Sequence, residues 1–213
     1  MLMKVPVILT TVIALFLSVQ LPAQPDTTAV PGDSVKAIRI RNVAWFTPNG
    51  ANYVNGLAIG LQAIPLGKQK MHINGINAEA GLVTMFVFPY FIVDMVSSKK
   101  GYKMDYLDPK DTDVFVNGLS FSVGGLIGAG VNGISLSGGF SQLTRVRGLS
   151  FTGFSSRINT LRGVQLSGLS NKAKYGTGLQ IGLWNQCENL KGIQLGLWNK
   201  NGKRSLPFVN WRF

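Results

Sequence analysis

The chain is poor in the residues from which most active sites are built. Its 213 residues include one cysteine, Cys187, and one histidine, His72. A lone cysteine excludes an internal disulfide and a CxxC pair, and a lone histidine excludes a His-rich metal site. Acids are also few, with nine Asp and Glu against 21 Lys and Arg. Four of the nine, Asp105, Asp108, Asp111 and Asp113, share the polar stretch 97–113 without the oxygen-ligand spacing of a calcium loop. The Gly124-Gly125 and Gly138-Gly139 pairs lack the lysine and following helix that a phosphate-binding loop needs. Cys187 stands in QCEN, between two glycine-led phrases, and reads as a turn residue rather than as the nucleophile of a His72–Cys187 pair. No catalytic, cofactor-binding or metal-ligating residue is assigned, and the chain does not read as an enzyme.

What the chain has is glycine, 26 residues of it. At that density a helical bundle is disfavoured, because each helix-interior glycine costs about 1 kcal/mol relative to alanine. Six glycines open copies of one phrase, at Gly118, Gly133, Gly148, Gly163, Gly178 and Gly192, in steps of 15, 15, 15, 15 and 14 residues. The copies read GLSFSVGGL, GISLSGGF, GLSFTGF, GVQLSGL, GLQIGLWN and GIQLGLWN. Looser copies start at Gly56 and Gly75, so a fixed period runs through most of the chain. Within each copy apolar residues alternate with Ser, Thr, Gln or Gly; Leu149 and Phe151 take one face, Ser150 and Thr152 the other. That is the period of an amphipathic strand. A 15-residue unit accommodates one strand and one short turn.

Two all-β architectures meet these requirements. An antiparallel up-and-down β-barrel of outer-membrane type, with about 12 strands, would turn the apolar face to lipid. A β-solenoid with ~15-residue repeats would put apolar residues inside and a basic Ser/Thr/Gln face outside. The terminal segment Val209-Asn210-Trp211-Arg212-Phe213, alternating and ending in an aromatic, is similar to the closing strand of outer-membrane barrels, and Trp184 and Trp198 stand like an interfacial girdle. These features make the barrel the first expectation and the solenoid the alternative.

Residues 1–23 have the layout of a secretory signal peptide. Lys4 precedes the apolar run Val5–Val19, and Leu21-Pro22-Ala23 precedes an expected cleavage ahead of Gln24. Residues 24–35 are expected to form a disordered lead, and 36–213 the repeat-built β domain, with a first strand over Lys36–Phe46 and a turn at Thr47–Gly50. Gly81–Val96 is strongly apolar but carries Pro89. It is expected to form two strands, or a strand and a short helix, rather than one spanning helix.

The formal net charge is +12. From Val114 onward there are 11 Lys or Arg and a single acid, Glu188. These cations fall between the glycine-led phrases and are expected first as solvated turn residues, with an anion-binding stripe as the alternative, and the absence of any nucleic-acid-binding motif argues against DNA or RNA. The phrases VNGLAIGL, VNGLSF, GLQIGLWN and KGIQLGLWN, with the closing PFVNWRF, resemble bacterial surface-repeat proteins of the leptospiral type, also common in gut and environmental Bacteroidota. The resemblance covers roughly Lys36–Phe213 and carries no catalytic residues, that family being of uncharacterised function. It implies an exported protein of the outer membrane or cell surface with a structural, adhesive or narrow-pore role. The expected partners are outer-membrane lipid and an anionic surface glycan or lipid, with no specific protein partner identified.

Overall fold

Parallel pairing at a constant offset of one repeat governs the architecture. The computed structural model describes residues 38–47, 50–63, 70–96 and 105–213. The expected leader, the polar lead, Pro48-Asn49 of the expected turn and residues 97–104 lie outside these. Ten strands form one sheet in sequence order. They are β1 (Ile40–Thr47), β2 (Tyr53–Gly60), β3 (Met71–Glu79), β4 (Val114–Ser122), β5 (Ala129–Ser137), β6 (Phe140–Thr152), β7 (Ser155–Ser167), β8 (Ser170–Ile181), β9 (Trp184–Asn201) and β10 (Arg204–Arg212). Strands β1 to β9 pair in parallel, each against the next. Only β10 runs antiparallel, folding back on β9 with a register shift at Pro207/Phe208.

The fold is therefore a β-solenoid, and the expected antiparallel barrel is corrected. An up-and-down barrel needs hairpins, in which consecutive phrases run in opposite directions. Here the glycine of each phrase pairs with the glycine of the next, Gly56 with Gly75, Gly118, Gly133, Gly148, Gly163, Gly178 and Gly192 in turn. Such a register requires the chain to complete a full coil between phrases. In the later coils, pairing is interrupted at Thr144 and Asn159, where the strands bend, and resumes at Arg145 and Thr160.

Irregularities in the period are absorbed outside the ladder. The 14-residue step loses one residue at a turn: Ser167-Gly168-Leu169-Ser170 becomes Gly182-Leu183-Trp184, after which Asn171 and Asn185 are again partners. The 43-residue gap between Gly75 and Gly118 contains helix α1 (Leu82–Val96) and a 3-10 turn at Pro109–Asp111. The expectation of strands over Gly81–Val96 is thus replaced by one continuous helix. Pro89 removes a single intrahelical hydrogen bond, the one that would reach the Met85 carbonyl. No helix among the described residues is long and apolar enough to cross a membrane.

The solenoid is inside out relative to the expected one. Ser150, Thr152, Gln165, Gln180 and Gln194 are fully buried, whereas Phe151 is 48% exposed. The Ser/Thr/Gln face lines the interior and the Leu/Ile/Phe face lies outside. Stacking explains how a polar interior is tolerated. An amide repeated at each rung, about 4.8 Å apart, accepts from one neighbour and donates to the other. Gln194 Nε2 donates to Gln180 Oε1 at 2.8 Å, and Gln180 Nε2 to Gln165 Oε1 at 2.8 Å. A second ladder runs from Asn171 Nδ2 to Asn185 Oδ1 (2.9 Å) and from Asn185 Nδ2 to Asn199 Oδ1 (2.8 Å). Across the coil, the Ser141 and Thr152 hydroxyls meet at 2.8 Å. The apolar half of the interior comes from other columns, among them Val116, Val131, Leu143, Val146, Ile158 and Leu161. With its interior filled in this way, the coil has no barrel lumen to serve as a narrow pore.

The first rung departs from the glycine rule. Val43 pairs with Gly56 and takes the ladder position with φ 85. This left-handed backbone is costly for a β-branched residue. Val43 is also strongly exposed, so its side chain gives little packing in return. Val43→Gly is expected to stabilise the fold by about 1 kcal/mol, seen as a higher urea midpoint at unchanged slope. A lowered midpoint would contradict the strain.

Candidate interaction surface

Position within the rung decides which side chains meet solvent. Two outward columns flank each buried Ser, Thr or Gln. One contains Ile76, Leu119, Ile134, Leu149, Val164 and Ile193; the other contains Phe121, Leu136, Phe151, Leu166, Ile181 and Leu195. All are half-buried or exposed, since each column covers only its own neighbours above and below. The result is an apolar sheet face extending from β3 to β9. In solution, contiguous apolar patches of this kind are rare and mark contact sites.

Each long margin of this face has its own chemistry. Before the ladder glycines runs an outward column that is first an asparagine ladder. Asn55, Asn74, Asn117 and Asn132 each donate through Nδ2 to the Asn Oδ1 of the preceding rung, Asn42 to Asn117 in turn, at 2.8–3.0 Å. From β6 onward the same column reads Arg147, Arg162, Thr177 and Lys191, all exposed and all within strands, which corrects the expectation that these cations sit in turns. At the opposite margin, where the rungs turn, Phe154, Leu183, Trp184, Leu197 and Trp198 are exposed. Trp184 and Trp198 are thus one above the other on a solenoid edge rather than at the ends of membrane strands.

Helix α1 starts at this turning edge, where Thr84 Oγ1 donates to the Gly125 carbonyl at 2.7 Å. Its exposed positions include Met85, Phe86 and Val93. A helix with no basic residue and only Asp94 as an acid has no polar face to offer water.

The described part of the 97–113 loop packs on β6 and β7, with Gln142 Nε2 donating to Asp105 O and Asn159 Nδ2 to Leu107 O, both at 2.8 Å. Arg157 lies 6.0 Å from the Tyr106 ring centre. A shallow groove of about 540 Å³ at the β9–β10 hairpin is lined by Asn201, Gly202, Lys203, Arg204, Trp211 and Arg212. Within it Arg204 is committed to Asn210 Oδ1 and the Trp211 carbonyl and stacks over Trp211.

His72 and Cys187 are six rungs apart, on β3 and β9, or roughly 29 Å at the sheet spacing, so they form no pair. His72 stacks between Tyr53 and Phe115 with ring centres 5.0 and 4.9 Å apart. Burial and the nearby Lys70 hold its pKa below the ordinary value. Cys187 is not in a turn. It lies within β9, fully buried against Ala173 and Leu190, and burial pushes its thiol up to about 11, which leaves almost no thiolate at neutral pH. No group of three or more His, Cys, Asp or Glu that could hold a metal occurs among the described residues.

The sequence pattern does not single out Glu79. It belongs to the column that in the following rungs carries Ser122, Ser137, Thr152 and Ser167, and is buried inside the coil. Gln62 Nε2 (2.9 Å), the Ala63 N–H (2.8 Å), Asn77 Nδ2 (3.3 Å) and Ser122 Oγ (3.3 Å) all donate to its carboxyl. Burial nevertheless dominates and raises its pKa to about 7. Acceptors for the added proton are at hand: Gln62 Oε1 and Asn77 Oδ1 are buried without a partner, and either amide can turn over to present its oxygen. The chain matches no family model, no curated protein and no solved structure.

Proposed function

We propose that the protein is an exported, non-catalytic β-solenoid of the bacterial envelope that binds an anionic surface. The observation that carries this reading is the column Arg147, Arg162 and Lys191 on the margin of the sheet. Those cations stand in a half of the chain with 11 basic residues and one acid. Arg147 and Arg162 stand one sheet spacing apart and Lys191 two further on, past Thr177, so they present a line of positive charge that a row of phosphates, sulfates or carboxylates would neutralise. The inward Ser, Thr and Gln take no part in binding. The leader-like residues 1–23 and the surface-repeat resemblance support export.

Cell fractionation tests the proposal. The protein is expected in the envelope fraction with its N-terminus at or near Gln24. Carbonate should release it, and its gel migration should not depend on heating. Retention in the cytoplasm with residues 1–23 intact would refute export. Resistance to carbonate together with heat-modifiable migration would return the chain to an integral barrel.

A further inference from the structure

The apolar sheet face and α1 indicate which anionic surface is bound. Resting on the anionic-partner reading above, we propose that the solenoid lies flat on a lipid bilayer. The outward columns typified by Leu149 and Phe151 would enter the acyl boundary, and Arg147, Arg162 and Lys191 would meet anionic headgroups.

Three observations converge on lipid rather than on a soluble glycan or a second copy of the chain. First, the face is apolar along both outward columns from β3 to β9, so a hydrated polyanion would satisfy its cationic margin and leave the rest uncovered. Second, the charge is complementary to an anionic leaflet. The cations occur along one margin, and the other margin carries Trp184, Trp198 and Leu197, side chains that favour the boundary between headgroups and acyl chains. Third, α1 begins at that aromatic margin and exposes Met85, Phe86 and Val93. Its 15 residues are too few to span a bilayer yet sufficient to lie within the interface. A sheet face and a helix that both expose apolar side chains fit a fluid surface that conforms to each.

Vesicle flotation decides the matter, using the full-length gene product as purified from an expressing host. Its N-terminus is established by mass spectrometry so that binding through residues 5–19 can be recognised. The protein should float with phosphatidylcholine vesicles containing phosphatidylglycerol and much less with phosphatidylcholine alone. Emission from the exposed Trp198 and Trp211 should shift to the blue and be quenched by brominated acyl chains. Phe151→Asp and, separately, Leu197→Asp alter outward side chains and should leave the thermal transition in place. Each should weaken partitioning by about ten-fold or more. Charge reversal at Arg147 and Arg162 should do the same on the anionic vesicles only.

Failure of the folded wild-type protein to float would overturn the lipid assignment. If it then bound soluble dextran sulfate through Arg147 and Arg162, the anionic-partner reading would stand without it; if it bound neither, both would fall. Flotation unaffected by Phe151→Asp and Leu197→Asp would remove the apolar face from the contact. A dimer in sedimentation velocity that Phe151→Asp dissociates would assign the face to a second copy instead.

Discussion

Substitution of Gly148 by alanine is expected to destabilise the fold by about 3 kcal/mol or more, read from urea denaturation. Two costs act together. The backbone there has φ 128, a conformation L side chains rarely adopt. A Cβ would also press on the carbonyl oxygen of Gly133 in the preceding rung, well inside van der Waals contact. The rung would have to move away, stretching the parallel ladder on the β5 side and disturbing the amide and hydroxyl stacks inside. Gly128 provides the control. It has φ 77 and open space where a Cβ would stand, so its alanine variant should show the backbone cost alone, about 1 kcal/mol. Equal losses at the two positions would show that contact between rungs is not what requires glycine.

Stability is expected to fall as pH rises from about 5 to about 8, by about 3 kcal/mol, and Glu79 is the cause. Its carboxyl has an ordinary value of 4.5 and is raised to about 7 in the fold. Between those values the folded chain binds more protons than the unfolded chain, so stability declines with increasing pH. The contribution is fully present below about 4.5, is lost as pH rises through about 7 and changes no further above that. Glu79→Gln keeps an acceptor for the Ala63 N–H and can donate to Gln62 Oε1 once that amide has turned. Its melting temperature should lose that decline between pH 5 and 8, leaving only the opposite rise linked to His72, and at pH 8 it should equal or exceed the wild type. A wild-type profile with the same slope as the variant's would mean that Glu79 stays ionised throughout.

The strands were legible in the sequence because alternation of Leu149, Ser150, Phe151 and Thr152 is a local property, but their length was not, since β6 to β9 run 13, 13, 12 and 18 residues. The sense of that alternation was not. Lipid, core and solvent all accept a Leu/Phe face, and only pairing between rungs shows that serine and glutamine can satisfy one another in a dry interior. Even the recurrence of Gln at 165, 180 and 194 is a clue only once the rungs are known to be parallel. Cys187 looked like a turn residue because the QCEN stretch is polar, yet period two carries its side chain inward between Asn185 and the bend at Glu188. Helix α1 was misjudged because Pro89 appeared to divide the run. The first strand showed in the alternation over Lys36–Phe46, but its place in the register did not, because Val43 occupies the position that marks every later copy with glycine. The candidate surface was only partly visible, since Arg147, Arg162 and Lys191 lie 15 and 29 residues apart in the sequence and gain meaning only from sharing one column, with Thr177 between the last two.

The one-repeat register has a consequence for how such a chain can evolve. A tandem duplication or loss of one 15-residue unit adds or removes a single rung and leaves every column aligned. The contact face would lengthen or shorten in increments of one sheet spacing while its cross-section stayed the same. The shortened turn at Gly182–Trp184 shows that even an imperfect copy can be accommodated, because the error is confined to the edge. Avidity for an extended target could then be adjusted by copy number, without redesign of any individual contact.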